Sequence, residues 1–269
     1  MAEPEVLYTK EEGIGIITLN RPEKMNAVTD DMLVDIANML NDIILDDEVK
    51  AMILTGSGRA FCGGTDLTTG LARDQAQAAA ERAKKVKKAD LPENPLPMWT
   101  FTRVSKPTIA AVNGAAVGMG AEWTAQCDIR IASENARFGW VFPLRGITPD
   151  TGAGPYLLPY IVGLSKALEL MYSGEIIDAH EAERIGLVST VVPPDQLMPI
   201  AREMAVKISR GAPLAIRGIK ELTYGSLEWP PSTHQGETSK RLLTITQSED
   251  CREGIQSFIE KRPPVWKGR

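Results

Sequence analysis

Apolar positions in the first half of the chain fall into short continuous runs interrupted by one clear three-and-four repeat. Val6-Leu7-Tyr8 and Ile14-Gly15-Ile16-Ile17-Thr18-Leu19 predict two strands with Glu11-Glu12-Gly13 between them, and Asn20-Arg21-Pro22-Glu23 predicts a turn. Met32, Leu33, Ile36, Met39, Leu40, Ile43 and Ile44 then share one helical face, opened by Thr29 as N-cap and closed by Asp46-Asp47. Ala51-Met52-Ile53-Leu54-Thr55 and Thr108-Ile109-Ala110-Ala111-Val112 read as buried strands, with further strands near 128 to 132 and 187 to 192. Strand, strand and helix recur loosely in that order, which predicts a wound α/β structure without repeated sequence.

Two stretches break the pattern. Residues 71 to 90 are rich in alanine, arginine, lysine and glutamate, a solvated helix, and Leu91-Pro92-Glu93-Asn94-Pro95-Leu96-Pro97 suits neither helix nor central strand. Together they predict a flap near the first glycine-rich loop. From Pro194 the pattern is almost wholly helical, with helices expected over 197 to 208, 213 to 227, 235 to 246 and 250 to 259. The expected division is a core over residues 1–195 that carries the site and a helical region over 196–269 that serves oligomerisation or acts as a lid.

Two glycine-rich segments, Phe61-Cys62-Gly63-Gly64-Thr65-Asp66-Leu67 and Asn113-Gly114-Ala115-Ala116-Val117-Gly118-Met119-Gly120-Ala121-Glu122, each follow one of the apolar runs. Both loops are expected at the carboxyl ends of buried strands, where open α/β structures bind ligands. Glycine lets the chain turn sharply and approach a substrate closely enough for a main-chain N–H to meet its oxygen. As a pair they suggest the two halves of an oxyanion hole.

Composition narrows the partners. At 269 residues and 43% hydrophobic content the chain can bury a substantial core. A net charge of -5 argues against nucleic acid or a membrane surface, while leaving room for a small anionic ligand held by local cations. No apolar run approaches the length of a membrane span. Three cysteines without metal spacing, and no signal-type segment ahead of Val6, lead to an expected cytoplasmic location. His180 and His234 are too few and too isolated to suggest a metal.

Four strings, Leu19-Asn20-Arg21-Pro22-Glu23-Lys24-Met25-Asn26-Ala27, Gly58-Arg59-Ala60-Phe61-Cys62-Gly63-Gly64-Thr65-Asp66-Leu67, Lys106-Pro107-Thr108-Ile109-Ala110-Ala111-Val112-Asn113-Gly114 and Cys127-Asp128-Ile129-Arg130-Ile131-Ala132, resemble the crotonase superfamily, the enoyl-CoA hydratase and isomerase group. The likeness runs from about Val6 to Trp266. It implies an α/β spiral of ββα turns with a C-terminal helical trimerisation region. It also implies an acyl-CoA substrate, no cofactor beyond the coenzyme A it carries, and homotrimers or hexamers.

By the family's pattern the oxyanion donors are the amides of Thr65 and Met119, where removal of one such donor typically costs about 3 kcal/mol of transition-state stabilisation. Met119 replaces the glycine most common there, and its side chain narrows the acyl space. Glu122 matches a catalytic glutamate of the hydratases. The second glutamate of those enzymes falls at Phe142, which cannot transfer a proton. Asp150, in Pro149-Asp150-Thr151-Gly152, matches an aspartate of members that shift double bonds or attack aromatic thioesters, and it would equally suit a helix N-cap. Trp140 and Phe142 are expected to dry the acyl pocket and raise a nearby carboxyl pKa. For coenzyme A the resemblance points to Arg21 and Lys24, to Ala60, Asp66 and Leu67 along the pantetheine and adenine path, and to Phe258 with Lys261 reaching a neighbouring subunit's ligand.

Hydration and isomerisation of an enoyl thioester both fit Glu122 with Asp150. Thioester hydrolysis by water is the alternative, and a non-catalytic acyl-CoA-binding scaffold is an alternative of another class. A serine triad lacks a histidine near a glycine-flanked serine, and Cys62 lacks a histidine partner and reads as a buried filler.

Overall fold

Glu12 (φ 50) and Gly13 (φ 75) form a two-residue turn between β1 (Val6–Glu11) and β2 (Ile14–Leu19), which pair antiparallel from Val6 opposite Leu19 to Glu11 opposite Ile14. The structure is a computed structural model that describes residues 3–66, 75–89, 91 and 99–269. Thr29 caps α1 (Asp30–Leu45) by accepting from the Met32 N–H, and Lys106 closes its far end by donating to the Ile43 carbonyl.

After α1 the chain alternates between two sheets. β3 (Ala51–Gly56), β5 (Thr108–Val112), β7 (Ile129–Ser133) and β10 (Thr190–Val192) extend β1 and β2 into a six-stranded sheet of order β1-β2-β3-β5-β7-β10, parallel from β2 onward. β4 (Ala60–Cys62), β6 (Ala115–Val117), β8 (Arg137–Gly139) and β9 (Ile176–Asp178) form a four-stranded sheet in that order, with only β9 antiparallel. Each circuit places a strand in the large sheet, a strand in the small sheet and then helix: α2 (Gln75–Lys85), α3 (Met119–Gln126), and α4 (Ala153–Val162) with α5 (Leu164–Ser173). This is the ββα winding expected from the apolar pattern. α6 (Ala179–Arg184) leads to β10.

The strand expected from 187 is shorter, because the Leu187 and Val188 amides both bond to the Ala182 carbonyl as α6 ends, and the ladder resumes only at Thr190. The expected solvated helix is present as α2, tied to the start of α1 by Arg82–Asp30 and Lys85–Asp31 ion pairs. The remainder of the expected flap lies largely outside the described residues.

Period-two alternation explains the unbroken apolar runs, since both faces of the large sheet are covered. Ile17, Leu19, Met52, Leu54, Ala110 and Val112 face the core that includes Phe61 and Phe138 of the small sheet. Ile14, Ile16, Ala51, Ile53, Ile109, Ala111 and Ile131 face outward onto Leu197, Ala201 and Ala205 of α7 (Leu197–Ser209). α8 (Pro213–Gly225), α9 (Pro231–Thr246) and α10 (Glu249–Glu260) follow. Leu242, Leu243, Ile255, Phe258 and Ile259 on α9 and α10 stand exposed. Among the described residues no helix is long and apolar enough to cross a membrane.

One polar cluster pins α8 to the sheet. The Asp128 carboxylate accepts from the Thr108 N–H (2.8 Å), the Lys220 ammonium (2.9 Å) and the Tyr224 hydroxyl (2.9 Å), and Lys220 also donates to the Lys106 carbonyl. Burial, then the charge of Asp128, raises the Tyr224 pKa, so the phenol stays a donor. Because the Lys220 side chain is only 6% exposed, Asp128→Ala strands a buried charge. The expected cost is about 3 kcal/mol, read as a drop in the urea unfolding midpoint; an unchanged midpoint would remove this cluster from the account of how α8 is held.

Candidate active site

Asn26 organises the first glycine loop. It is fully buried at φ 55, and its amide donates to the Ser57, Ala60 and Phe61 carbonyls (2.9, 2.8 and 3.2 Å) while its oxygen accepts from the Arg21 N–H (2.8 Å). Asn113 works from the other side, donating to Gly58 and Ala60 and accepting from the Gly56 N–H. The chain then runs parallel to Val28: the Val28 N–H bonds to the Gly64 carbonyl and the Asp66 N–H to the Val28 carbonyl. Extended backbone alternates its N–H directions, so the Thr65 N–H points away from Val28.

The second loop ends in a helix start. Gly118 is the N-cap of α3, which leaves Met119 as the first helical residue with an N–H that no turn of its own helix can satisfy. Neither the Thr65 nor the Met119 N–H has a hydrogen-bond partner among the described residues. Both glycine loops follow short strands of the small sheet, β4 and β6, and not the long strands β3 and β5 that the apolar runs suggested. The loops touch: a β carbon on Gly120 would lie 2.2 Å from the Cys62 carbonyl oxygen, so only glycine fits there. The Met119 thioether reaches within 4.0 Å of the Thr65 hydroxyl.

Glu122 lies one turn into α3 and is 0% exposed. One carboxylate oxygen accepts from the Trp140 indole N–H (2.9 Å), and the other accepts from the Gly154 N–H (3.0 Å) and the Thr151 hydroxyl. Burial raises its pKa, the three donors pull it down, and the charge of Asp150 pushes it up again. Asp150 is exposed, and its carboxylate stands 3.3 Å from the Thr65 hydroxyl, at the edge of the first loop. The protein around it still raises its pKa, chiefly by desolvation, against the opposing Thr65 hydrogen bond. It does not cap α4: Gly152 holds the N-cap position and the Thr151 hydroxyl accepts from the Ala153 N–H.

Comparison with known proteins meets this arrangement. The sequence profile described as "Enoyl-CoA hydratase/isomerase" matches residues 9–269. The chain belongs to the enoyl-CoA hydratase/isomerase family. It is 34% identical to the 2,3-dehydroadipyl-CoA hydratase of Escherichia coli, covering 98% of this chain and 99% of that protein. It is 36% identical to the short-chain-enoyl-CoA hydratase of Clostridium acetobutylicum, covering 96% and 95%. The crystal structure of the enoyl-CoA hydratase from Bacillus anthracis superposes with a TM-score of 0.88 at 32% identity, over 99% of this chain and 100% of that one. The fold is therefore the crotonase spiral of this family.

Other residues singled out from the sequence are placed differently. Arg21, expected as a phosphate cation, is committed to the fold: Nη1 donates to the Ala27 carbonyl (2.6 Å) and pairs with Asp66 (3.1 Å), and Nε lies 3.0 Å from Glu5. Asp66 has accordingly spent its N–H on Val28 and its carboxylate on Arg21. Ala60 is buried in β4 and its carbonyl is filled by Asn26 and Asn113, so it lines no open path. Trp140 is fully buried and Phe142 is 4% exposed; instead of walling an acyl space, Trp140 is a hydrogen-bond donor to Glu122. Lys24 is exposed, as are Phe258 and Lys261 at the end of α10. Leu67 lies outside the described residues. Burial pushes the Cys62 thiol up to about 12, which suits a filler and not a nucleophile.

Asn26, Asn113, Thr151 and Gly154 were not singled out as site residues. Asn26 and Asn113 lie inside the family strings, and Asn26 holds a positive φ that asparagine tolerates better than most residues. Gly120→Ala in this family member is expected to separate the two loops. It should lower stability by about 1–3 kcal/mol and reduce enoyl-CoA turnover together, measured by chemical unfolding and initial rates; a fully stable, fully active variant would deny that this contact spaces the amides.

Proposed function

We propose that this protein is an enzyme that acts on an enoyl-CoA thioester, hydrating or isomerising its carbon–carbon double bond through an enolate held by the Thr65 and Met119 amides. The observation that carries the reading is the pair of unsatisfied N–H groups on two loops in contact, with a carboxyl 3.3 Å from Thr65. Negative charge that develops on the thioester oxygen gains from such preorganised donors, and the start of α3 adds its positive end. Proton transfer and charge stabilisation are both supplied by side chains and backbone, so the chemistry calls for no cofactor beyond coenzyme A. Lys24, exposed and without an ion-pair partner among the described residues, suits a phosphate of coenzyme A.

A homotrimer, alone or paired into a hexamer, is the proposed assembly. It is supported by the exposed apolar side chains of α9 and α10, where Phe258 is 85% exposed. Lys261 would then meet coenzyme A bound to a neighbouring copy. Three free cysteines suit the cytoplasm.

Following the conjugated enoyl absorbance tests the reaction. Crotonyl-CoA should lose signal if water adds, a 3-enoyl-CoA should gain it if the bond shifts, and free thiol would mark hydrolysis instead. Asp150→Asn is expected to spare folding and lower turnover at least about tenfold, or about 1.4 kcal/mol. As a base Asp150 acts in its charged form, and desolvation raises its pKa. The rate should therefore fall as pH drops through a value above the ordinary aspartate range, and Asp150→Asn should abolish that limb. For the assembly, replacing Phe258 and Ile259 by aspartate should reduce the sedimentation mass to that of one chain; an unchanged mass would move the interface elsewhere.

A further inference from the structure

Glu122, on α3, and Asp150, just ahead of α4, both lie beside the start of α4, yet their surroundings are opposite. Thr151 accepts at its hydroxyl from the Gln126 amide (3.3 Å) and from the Ala153 N–H (3.2 Å), so its own proton is directed to Glu122. Trp140 and Gly154 can only donate. Glu122 is thus met by three donors and is wholly covered. The far side of its other oxygen is closed as well, since a β carbon on Gly154 would lie 2.0 Å from it. Two of its partners, Thr151 and Gly154, follow Asp150 closely in the chain, and the Trp99 indole fixes the same loop through the Thr151 carbonyl (3.1 Å). Asp150 itself is exposed beside Thr65. The charged group that bears on Glu122 is Asp150, and around Asp150 the acting groups are the Thr65 hydroxyl and its own loop backbone.

We infer that Glu122 is a positioning residue that Trp140 and Thr151 lock in place beside the start of α4, and that Asp150 alone carries the proton, so the site shifts a double bond instead of adding water. This rests on the enoyl-CoA reading above and decides between its two reactions. To orient water, wholly buried Glu122 would have to be uncovered, and the position of a second acid is occupied by buried Phe142. A shift needs one carboxyl. Asp150 takes a proton from the α carbon of a 3-enoyl thioester, and the C–H electron pair delocalises into a dienolate with its charge on the thioester oxygen. The proton then passes from Asp150 to the γ carbon as the electrons return to form the conjugated 2-enoyl thioester. The carboxylate is regenerated and no water is consumed.

Trp140→Phe removes a donor that favours charged Glu122, so the pKa of Glu122 must rise. The acid limb of kcat/KM for the 3-enoyl-CoA is nevertheless expected to stay where it is in the wild type, while kcat falls about tenfold as the loop loosens. Thr151→Val should do the same and Thr151→Ser should restore kcat, with thermal melts confirming that each variant folds. Asp150→Asn should slow exchange of the substrate's α proton with deuterated water about a hundredfold while leaving the Kd for crotonyl-CoA unchanged. An acid limb that climbs in Trp140→Phe, or exchange that survives Asp150→Asn, overturns the assignment. So does a wild type that hydrates crotonyl-CoA faster than it isomerises the 3-enoyl-CoA. A wild type that fails to bind crotonyl-CoA at all overturns the enoyl-CoA reading itself, an outcome separate from the others.

Discussion

The α carbon of Gly120 sits against the Cys62 carbonyl at a distance that excludes any side chain, and this backbone-to-backbone contact joins the first glycine loop to the start of α3. Everything the site offers follows from that spacing. Were the two loops a side chain further apart, the Thr65 and Met119 amides could not serve one oxygen as proposed. The contact is maintained from behind by hydrogen bonds that saturate the neighbouring carbonyls. Asn26 and Asn113 fill Ala60 from two directions, and Arg21 ties Asp66 back to the turn that presents Asn26. Buried polar groups cost stability unless they are paired, so these bonds hold the carbonyls of the loop in place.

Rigidity on one side is matched by access on the other. Glu122 is enclosed by an indole, a hydroxyl and a main-chain amide, whereas Asp150 faces outward at the edge of the loop. Two carboxyls near one another cannot both be freely charged and freely exposed to substrate at no cost. The fold gives them different environments: burial raises the Glu122 pKa against three opposing donors, and partial desolvation raises that of Asp150 against the Thr65 hydrogen bond. The same principle governs Asp128, whose charge is balanced by Lys220 and Tyr224 where α8 meets the sheet.

Two sheets, wound by alternation, supply the frame for these contacts. The large sheet is buried on both faces, by the small sheet's core on one and by α7 on the other, and so its strands read as unbroken apolar runs. The small sheet's strands are only three residues long, and the site loops leave from their ends. Helices α9 and α10 turn apolar side chains outward.

What the sequence determined by itself was whatever depends on neighbours along the chain. Periodicity located α1, its Thr29 cap and the strands at 51 and 108, and the order of glycine strings identified the family and the pair of loops. The three-residue strands β4 and β6 were hidden inside those strings, because so short a run has no period to read. Tertiary structure alone decided which polar groups were already spent. Arg21 looks like a free cation in sequence and becomes an ion-pair partner only when residue 66 is brought 45 positions back to it. Trp140 looks like an apolar wall until Glu122 lies 2.9 Å from its indole nitrogen. Hydrogen bonding and burial are properties of what surrounds an atom in space, and for these residues that surrounding comes from distant parts of the chain.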